Sequence, residues 1–221
     1  MQTRLIKGVA QVQPDQLKLC LITDLQMFPR DRHLEVLEAA LDGGVRDIQL
    51  REKQLSVRDF HSLAIVFRRM TERYRARLII NDRLDVALMV GADGVHLPEN
   101  GLLPGEVKAC YPHLIVGTST HSLKAAREAE AGGADYITFS PVFDTPSKRE
   151  YGPPQGLDRL AEVTGAVKIP VLALGGINLE NLPDVLRRGA HGVALIRGIW
   201  NSDTIKETSS QYIQAFRGEP L

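Results

Sequence analysis

The chain has 221 residues, which suits one (β/α)₈ barrel, a fold of about 250 residues that can be built with about 200, and is short for two full domains. Its 27 Lys+Arg balance its 27 Asp+Glu, so no net positive field draws it to nucleic acid or an acidic membrane. With 43% hydrophobic and 24% charged residues the composition is that of a folded globular domain, and the apolar runs fall far below the roughly 18 residues that span a bilayer. The opening segment, residues 1–8, carries no apolar stretch of signal-peptide length, so a cytoplasmic protein is expected. Cys20 and Cys110 have no CxxC partner and read as buried small hydrophobes.

Short β-branched runs recur along the chain, each followed by a stretch of helical periodicity, the pattern of βα units around a parallel sheet. Strands are predicted at 17–23, 45–51, 77–81, 94–97, 115–118, 136–140, 171–174 and 192–196. Residues 34–41 and 57–74 place Leu34, Val36, Leu37, Leu41 and Phe60, Leu63, Phe67 at helical spacing. Ser56 and Ser122 stand where helix N-caps belong, while Gly43-Gly44, Gly91, Gly132-Gly133 and Gly189 stand where helices stop and the next strand begins. Eight such units with no linker predict a single-domain α/β fold, a closed (β/α)₈ TIM barrel over 1–221 with its core at about 17–217. Residues 201–221 supply the last helix and a short tail.

In such a barrel the chemistry sits in the loops after the strands. The second strand runs into Gln49-Leu50-Arg51-Glu52-Lys53, where Gln49, Arg51 and Lys53 alternate and so point to one side of an extended chain. The third ends in Asn81-Asp82-Arg83, whose carboxamide and carboxylate suit Mg²⁺ beside a substrate phosphate, with a helix N-cap as the alternative reading of Asp82. After the fifth come Ser119 and His121, small-hydroxyl and imidazole groups at the same rim, the imidazole suited to acid–base work. His96 shares this placement at the end of the fourth strand, whereas His33, His61, His113 and His191 read as surface residues. The loop after the sixth strand offers Thr145, Ser147 and Lys148, a donor set for phosphate or pyrophosphate. Gly175-Gly176 after the seventh strand and Ile196-Arg197-Gly198 after the eighth fall where many barrels hold phosphate.

The ordered series Gln49-Leu50-Arg51-Glu52-Lys53, Ile80-Asn81-Asp82-Arg83, Gly91-Ala92-Asp93-Gly94-Val95-His96-Leu97, Ser119-Thr120-His121, Thr145-Pro146-Ser147-Lys148 and Ala173-Leu174-Gly175-Gly176-Ile177 resembles the thiamine-phosphate synthase and thiazole tautomerase superfamily, over residues 20–199. The resemblance implies a (β/α)₈ barrel acting on thiazole phosphate in thiamine biosynthesis. In the synthase branch hydroxymethylpyrimidine diphosphate loses pyrophosphate, and the resulting pyrimidine cation is captured by the thiazole nitrogen. Carried over, it puts Gln49, Arg51, Lys53 and Asn81 on the pyrimidine diphosphate, Asp82 on Mg²⁺ and Ser119 on the pyrimidine side. Thr145, Ser147 and Lys148 would bind the thiazole phosphate and departing pyrophosphate, with Gly176 and the backbone at Ile196 and Arg197 holding phosphate. Lys53, Ser119 and Lys148 are then the catalytic candidates.

Two positions depart from the synthase pattern. Pro98-Glu99-Asn100-Gly101 replaces a Gly-Gln and acidic pair, so the second Mg²⁺ carboxylate is missing or displaced to Glu99, and Arg197 replaces a serine. Leu97-Pro98 and Ser119-Thr120-His121-Ser122 instead resemble the tautomerases, in which His121 would shuttle a proton and no metal is needed. The nearly complete diphosphate set favours the synthase, and the tautomerase is the alternative. A barrel that binds a phosphorylated ligand without catalysis is the third reading. The expected partners are small phosphorylated pyrimidine and thiazole substrates, with no nucleic acid and no membrane, and a homodimer is compatible with the sequence.

Overall fold

The computed structural model describes residues 17–27, 32–145 and 153–218. Within them lie eight parallel strands: β1 (Leu19–Ile22), β2 (Asp47–Leu50), β3 (Arg77–Asn81), β4 (Gly94–Leu97), β5 (Ile115–Thr120), β6 (Tyr136–Phe139), β7 (Val171–Leu174) and β8 (Gly192–Leu195). They pair in sequence order, and β8 returns to β1 through the register Cys20↔Ala194, closing the barrel. Helices α1 (His33–Asp42), α2 (Val57–Arg73), α3 (Leu84–Val90), α4 (Pro104–Cys110), α5 (Leu123–Ala131), α6 (Gly156–Ala166) and α7 (Leu182–Arg187) join successive strands. After β8 come a short α8 (Arg197–Trp200) and the final α9 (Ile205–Arg217), which packs on α1.

The alternation of strand residues builds two cores. Leu21, Ile48, Leu78, Ile80, Val95, Val116, Ile137 and Val193 face outward and pack with helix residues such as Val36, Leu37, Phe60, Phe67 and Leu160 in the large core. Each such side chain contributes about 1.5–3 kcal/mol on burial, so this layer carries most of the stability. The positions between them point inward, where Cys20, Ile22, Ile79, Ile115, Tyr136, Leu172 and Ala194 form a small inner core. Asp47, Gln49, His96 and Thr138 are buried at inward positions too.

At the N-terminal end of the barrel Asp47 pairs with Arg77 through two hydrogen bonds, Arg77 Nη2 to Asp47 Oδ2 measuring 2.8 Å. Burial pushes the Asp47 carboxyl up and Arg77 opposes it. Removing one member of such a pair strands a charge, at about 3–5 kcal/mol. This end is therefore structural, which leaves the other end for chemistry.

The helix signals behave as the sequence predicts. Ser56 Oγ and Ser122 Oγ accept hydrogen bonds from the amides of Asp59 and Ala125, and Gly91 stops α3 in the left-handed conformation at φ 64°. Other expectations are corrected. Cys110, at the end of α4, is exposed, because Val107 is the residue that its turn buries in the core. His33 is buried at the start of α1, and His61 and His191 are half-buried, leaving His113 exposed as expected. β2 stops at Leu50, short of the predicted strand end, and beyond it Arg51 is half-buried with its charge felt by buried His96, Glu52 is buried and Lys53 is exposed. Among the described residues no helix is long and apolar enough to cross a membrane.

Candidate active site

Gln49 is the last inward residue of β2, and its buried Nε2 donates to Asn81 Oδ1, at the end of β3, over 3.1 Å. Its other amide atom, Oε1, is buried with no hydrogen-bond partner among the described residues. An unpaired buried acceptor costs about 1–3 kcal/mol, so this oxygen is poised for a donor from outside. Glu52 is buried and turns back on β1, where it accepts from Thr23 Oγ1 at 2.5 Å and from the Leu25 amide at 3.2 and 3.3 Å. Burial raises its pKa, and these two bonds oppose the rise. Thr23 Oγ1 also accepts from the Arg51 amide at 2.9 Å, so Glu52 and Thr23 fix the stretch that carries Arg51 and Lys53.

Asp82 follows β3 with φ 64°, a conformation uncommon outside glycine and most tolerated by Asp and Asn. The turn is held by the Asp82 amide donating to the His96 carbonyl at 2.8 Å. The cap of α3 is Arg83, so Asp82 is not the helix cap that its position also suggested. Asp82 is exposed and directly follows Asn81 in the chain.

His96 lies inside the barrel. Its Nδ1 is 3.1 Å from the Tyr136 hydroxyl, and its Nε2 is 3.0 Å from Ser119 Oγ and 3.4 Å from Thr138 Oγ1. Burial, and secondarily the Arg51 charge, lower its pKa to about 3, which keeps the ring neutral. Ser119 is half-buried at the end of β5. His121, two residues on, points elsewhere: Glu99 Oε2 is 2.7 Å from both its backbone nitrogen and its Nδ1, and both side chains are 40% exposed.

The β6–α6 loop is anchored at its base by Val142 and Phe143 amides donating to the Leu174 and Gly175 carbonyls at 2.9 and 3.0 Å. Thr145 lies just beyond, while Ser147 and Lys148 fall outside the described residues. Gly176 has φ 66°, and a Cβ there would stand 2.7 Å from Phe143 Cβ and from the Asp144 carbonyl oxygen. Asn181 and Asn178 cap one another's amides at 2.9 Å, and Asn181 Nδ2 donates to the Gly176 carbonyl at 3.0 Å, setting this turn. Ile196 precedes α8 and Arg197 opens it, exposed. Trp200, at the end of α8, is buried and donates to the Ile22 carbonyl at 2.8 Å, which ties this rim segment to β1.

The structure thus joins Gln49 to Asn81 at the ends of β2 and β3, with Asp82 next in the chain, and joins Ser119 to the interior through His96. Glu99 and His121 are paired with each other. Among the described residues no three His, Cys, Asp or Glu side chains are grouped to hold a metal. Mg²⁺ bound through a diphosphate, however, needs only one or two protein carboxylates, and the hard oxygen of Asp82 fits that donor pattern. Tyr136 and Asn181 escape sequence reasoning, which also left the interior role of His96 unassigned. The one available signal is Gly117, which sits beside Tyr136 in the β5–β6 register and whose missing side chain makes room for that ring.

Residues 19–199 match the family model described as thiamine monophosphate synthase. The chain is 50% identical to a putative thiamine-phosphate synthase of Geobacter sulfurreducens over 182 residues, covering 82% of this chain and 85% of the relative. It is 38% identical to the thiamine-phosphate synthase of Pyrococcus horikoshii over 195 residues, 88% and 92% of the two chains. The solved thiamine phosphate pyrophosphorylase from Pyrococcus furiosus superposes with a TM-score of 0.84 at 35% identity, covering 93% of this chain and 98% of that one. The chain belongs to the thiamine monophosphate synthase family.

Proposed function

We propose that this barrel is a thiamine-phosphate synthase, a transferase of thiamine biosynthesis that joins hydroxymethylpyrimidine diphosphate to thiazole phosphate and releases pyrophosphate. The observation that carries the reading is the buried, unpartnered Oε1 of Gln49 beside Asn81. The pyrimidine ring bears an amino group, which can donate to that oxygen. Thiazole carboxylate phosphate, the tautomerase substrate, has no amino group to offer.

With the pyrimidine on Gln49 and Asn81, its diphosphate would extend toward Asp82, Arg51 and Lys53. The C–O bond to the diphosphate breaks, the pyrimidine methylene becomes cationic, and the thiazole nitrogen closes the new C–N bond. No protein nucleophile is required. Arg51 and Lys53 stabilise charge on the leaving group, Lys148 doing so from the β6–α6 loop, and Ser119 orients the pyrimidine. Thr145 and Ser147 bind the thiazole phosphate together with Gly176 and the amides at Ile196 and Arg197, in the arrangement by which barrels use the seventh and eighth loops and a short extra helix. Asp82 would hold Mg²⁺, and Glu99 would join it only after leaving His121. Bound Mg²⁺ supplies charge neutralisation on the departing diphosphate. The work is that of a cytoplasmic enzyme of small phosphorylated molecules.

The Glu99–His121 pair supports a second reading, the thiazole tautomerase, since a carboxylate that orients an imidazole is a proton-transfer arrangement. One assay separates the two. Purified protein is mixed with hydroxymethylpyrimidine diphosphate, thiazole phosphate and Mg²⁺, and pyrophosphate and thiamine phosphate are followed together. Equal formation of both is expected. Thiazole-phosphate binding without turnover would sink the synthase reading; conversion of thiazole carboxylate phosphate in a second mix would then establish the tautomerase, and binding without turnover of either substrate set would leave a non-catalytic barrel.

A further inference from the structure

We infer that His96 is a positioning residue that fixes the direction of the Ser119 hydroxyl: Tyr136 donates to His96 Nδ1, His96 Nε2–H donates to Ser119 Oγ, and Ser119 is left to donate its own proton into the barrel mouth. The inference deepens the synthase reading and rests on it for the identity of the acceptor, a ring nitrogen or phosphate oxygen of the pyrimidine substrate.

A neutral imidazole has one N–H and one lone pair, so its two neighbours cannot be treated alike. Tyr136 is buried, and His96 Nδ1, at 3.1 Å, is the hydrogen-bond partner of its hydroxyl among the described residues. If Nδ1 carried the proton, the phenol hydrogen would have no acceptor. Ser119 could then donate to Nε2 at 3.0 Å, but the proton of buried Thr138, whose hydroxyl lies 3.4 Å from the same nitrogen, would be stranded too. With the proton on Nε2 both short contacts are made and only Thr138 goes without. Stranding one buried hydroxyl is cheaper than stranding two. Letting Thr138 take Nε2 instead exchanges a 3.0 Å bond for one at the limit of hydrogen-bond length and still strands the phenol.

The geometry around the ring leaves little freedom to relax. Tyr136 fills the space that a side chain at Gly117 would occupy, and the His96 and Tyr136 ring centroids are 5.5 Å apart. Ser119 alone of the three hydroxyl residues is half-buried rather than buried, so its proton can meet a ligand. The outcome is specificity for a hydrogen-bond acceptor at that point of the pocket.

The tautomer is measured on the wild-type protein by nitrogen NMR of ¹⁵N-histidine, the His96 signals being assigned by their loss in His96→Gln. A pyrrole-like Nε2 and a pyridine-like Nδ1 are expected, and the reverse assignment overturns the inference. Turnover supplies the functional arm. Tyr136→Phe, which keeps the ring volume, should lower kcat/KM for the pyrimidine substrate by about two- to tenfold, the loss expected for one neutral hydrogen bond. In a Ser119→Ala background the same substitution should cost nothing further, because the path from Tyr136 ends at Ser119. An equal loss in both backgrounds would mean mere packing and would overturn it. A wild-type protein with no turnover would sink the synthase reading instead, and the tautomer, read without substrate, would still decide this inference.

Discussion

The carboxylate of Glu99 is 2.7 Å from both the backbone nitrogen and the ring Nδ1 of His121, which joins the β4–α4 loop to the end of β5. This pairing occupies the carboxylate that the altered Pro98-Glu99-Asn100-Gly101 segment would otherwise offer to a metal. Asp82, by contrast, stands at the rim without a capping role. The two acidic residues should therefore respond differently to substitution. Asp82→Asn keeps a residue that tolerates φ 64° and removes only the charge. It is expected to lower Mg²⁺-dependent turnover by about 10² or more with an unchanged thermal midpoint. Glu99→Gln and His121→Ala are expected to be mild. If His121→Ala abolished activity while Asp82→Asn retained it, the proton-transfer reading would take precedence.

Gly117 is required by packing rather than by chemistry. A Cβ at this position would fall within the Tyr136 ring, which is fully enclosed in the barrel. Gly117→Ala should destabilise the fold by about 1–3 kcal/mol or more, since neither strand can move without breaking the β5–β6 register. Denaturant unfolding reads this as a lower midpoint at constant slope. An unaltered midpoint would show that Tyr136 can leave its place at no cost.

His96 should make the protein acid-sensitive. Its folded pKa of about 3 lies below the ordinary value of 6.5, burial being the main cause and Arg51 the second. The unfolded state therefore binds this proton first, and its contribution to stability is complete above about pH 6.5. It is lost as pH falls toward 3, at about 1.4 kcal/mol per pH unit. The slope of unfolding free energy against pH should be shallower in His96→Gln than in wild type across this window. Identical slopes would place the acid sensitivity in the carboxylates.

The barrel was legible because its signals are local. Strand runs, glycine stops and the Ser56 and Ser122 caps each occupy a few consecutive residues, and they reappear in the structure with boundaries shifted by at most two or three positions. The rim residues Gln49, Asn81, Asp82 and Ser119 were legible for the same reason, as polar groups directly after apolar strands. What lies inside the barrel was not. His96 and Tyr136 are 40 residues apart, and their contact depends on strand tilt, closure and the absence of a side chain at Gly117. The course of the chain past Leu50 was not legible either, because Thr23 and Glu52, which bond across from β1, set the stretch that carries Arg51 and Lys53. No periodicity reports a bond between residues on different strands.

Gly176 offers a test of the phosphate site that does not depend on the metal. Its φ of 66° already disfavours a side chain, at about 1–2 kcal/mol, and an added Cβ would stand 2.7 Å from Phe143 Cβ and the Asp144 carbonyl oxygen. Relief of that contact must move either the β7–α7 turn, held by Asn181, or the base of the β6–α6 loop, held through the Phe143 amide. Both movements shift groups assigned to the thiazole phosphate, including Thr145. Misplacement of binding groups by about 1 Å can cost up to about 10²-fold, so Gly176→Ala should raise KM for thiazole phosphate by about tenfold or more. The proposed pyrimidine diphosphate contacts at Gln49, Asn81 and Asp82 lie on β2, on β3 and directly after it, across the barrel, and KM for that substrate should change little. Equal changes for both substrates would indicate general loosening of the rim, whereas no change for either would remove Gly176 from the site.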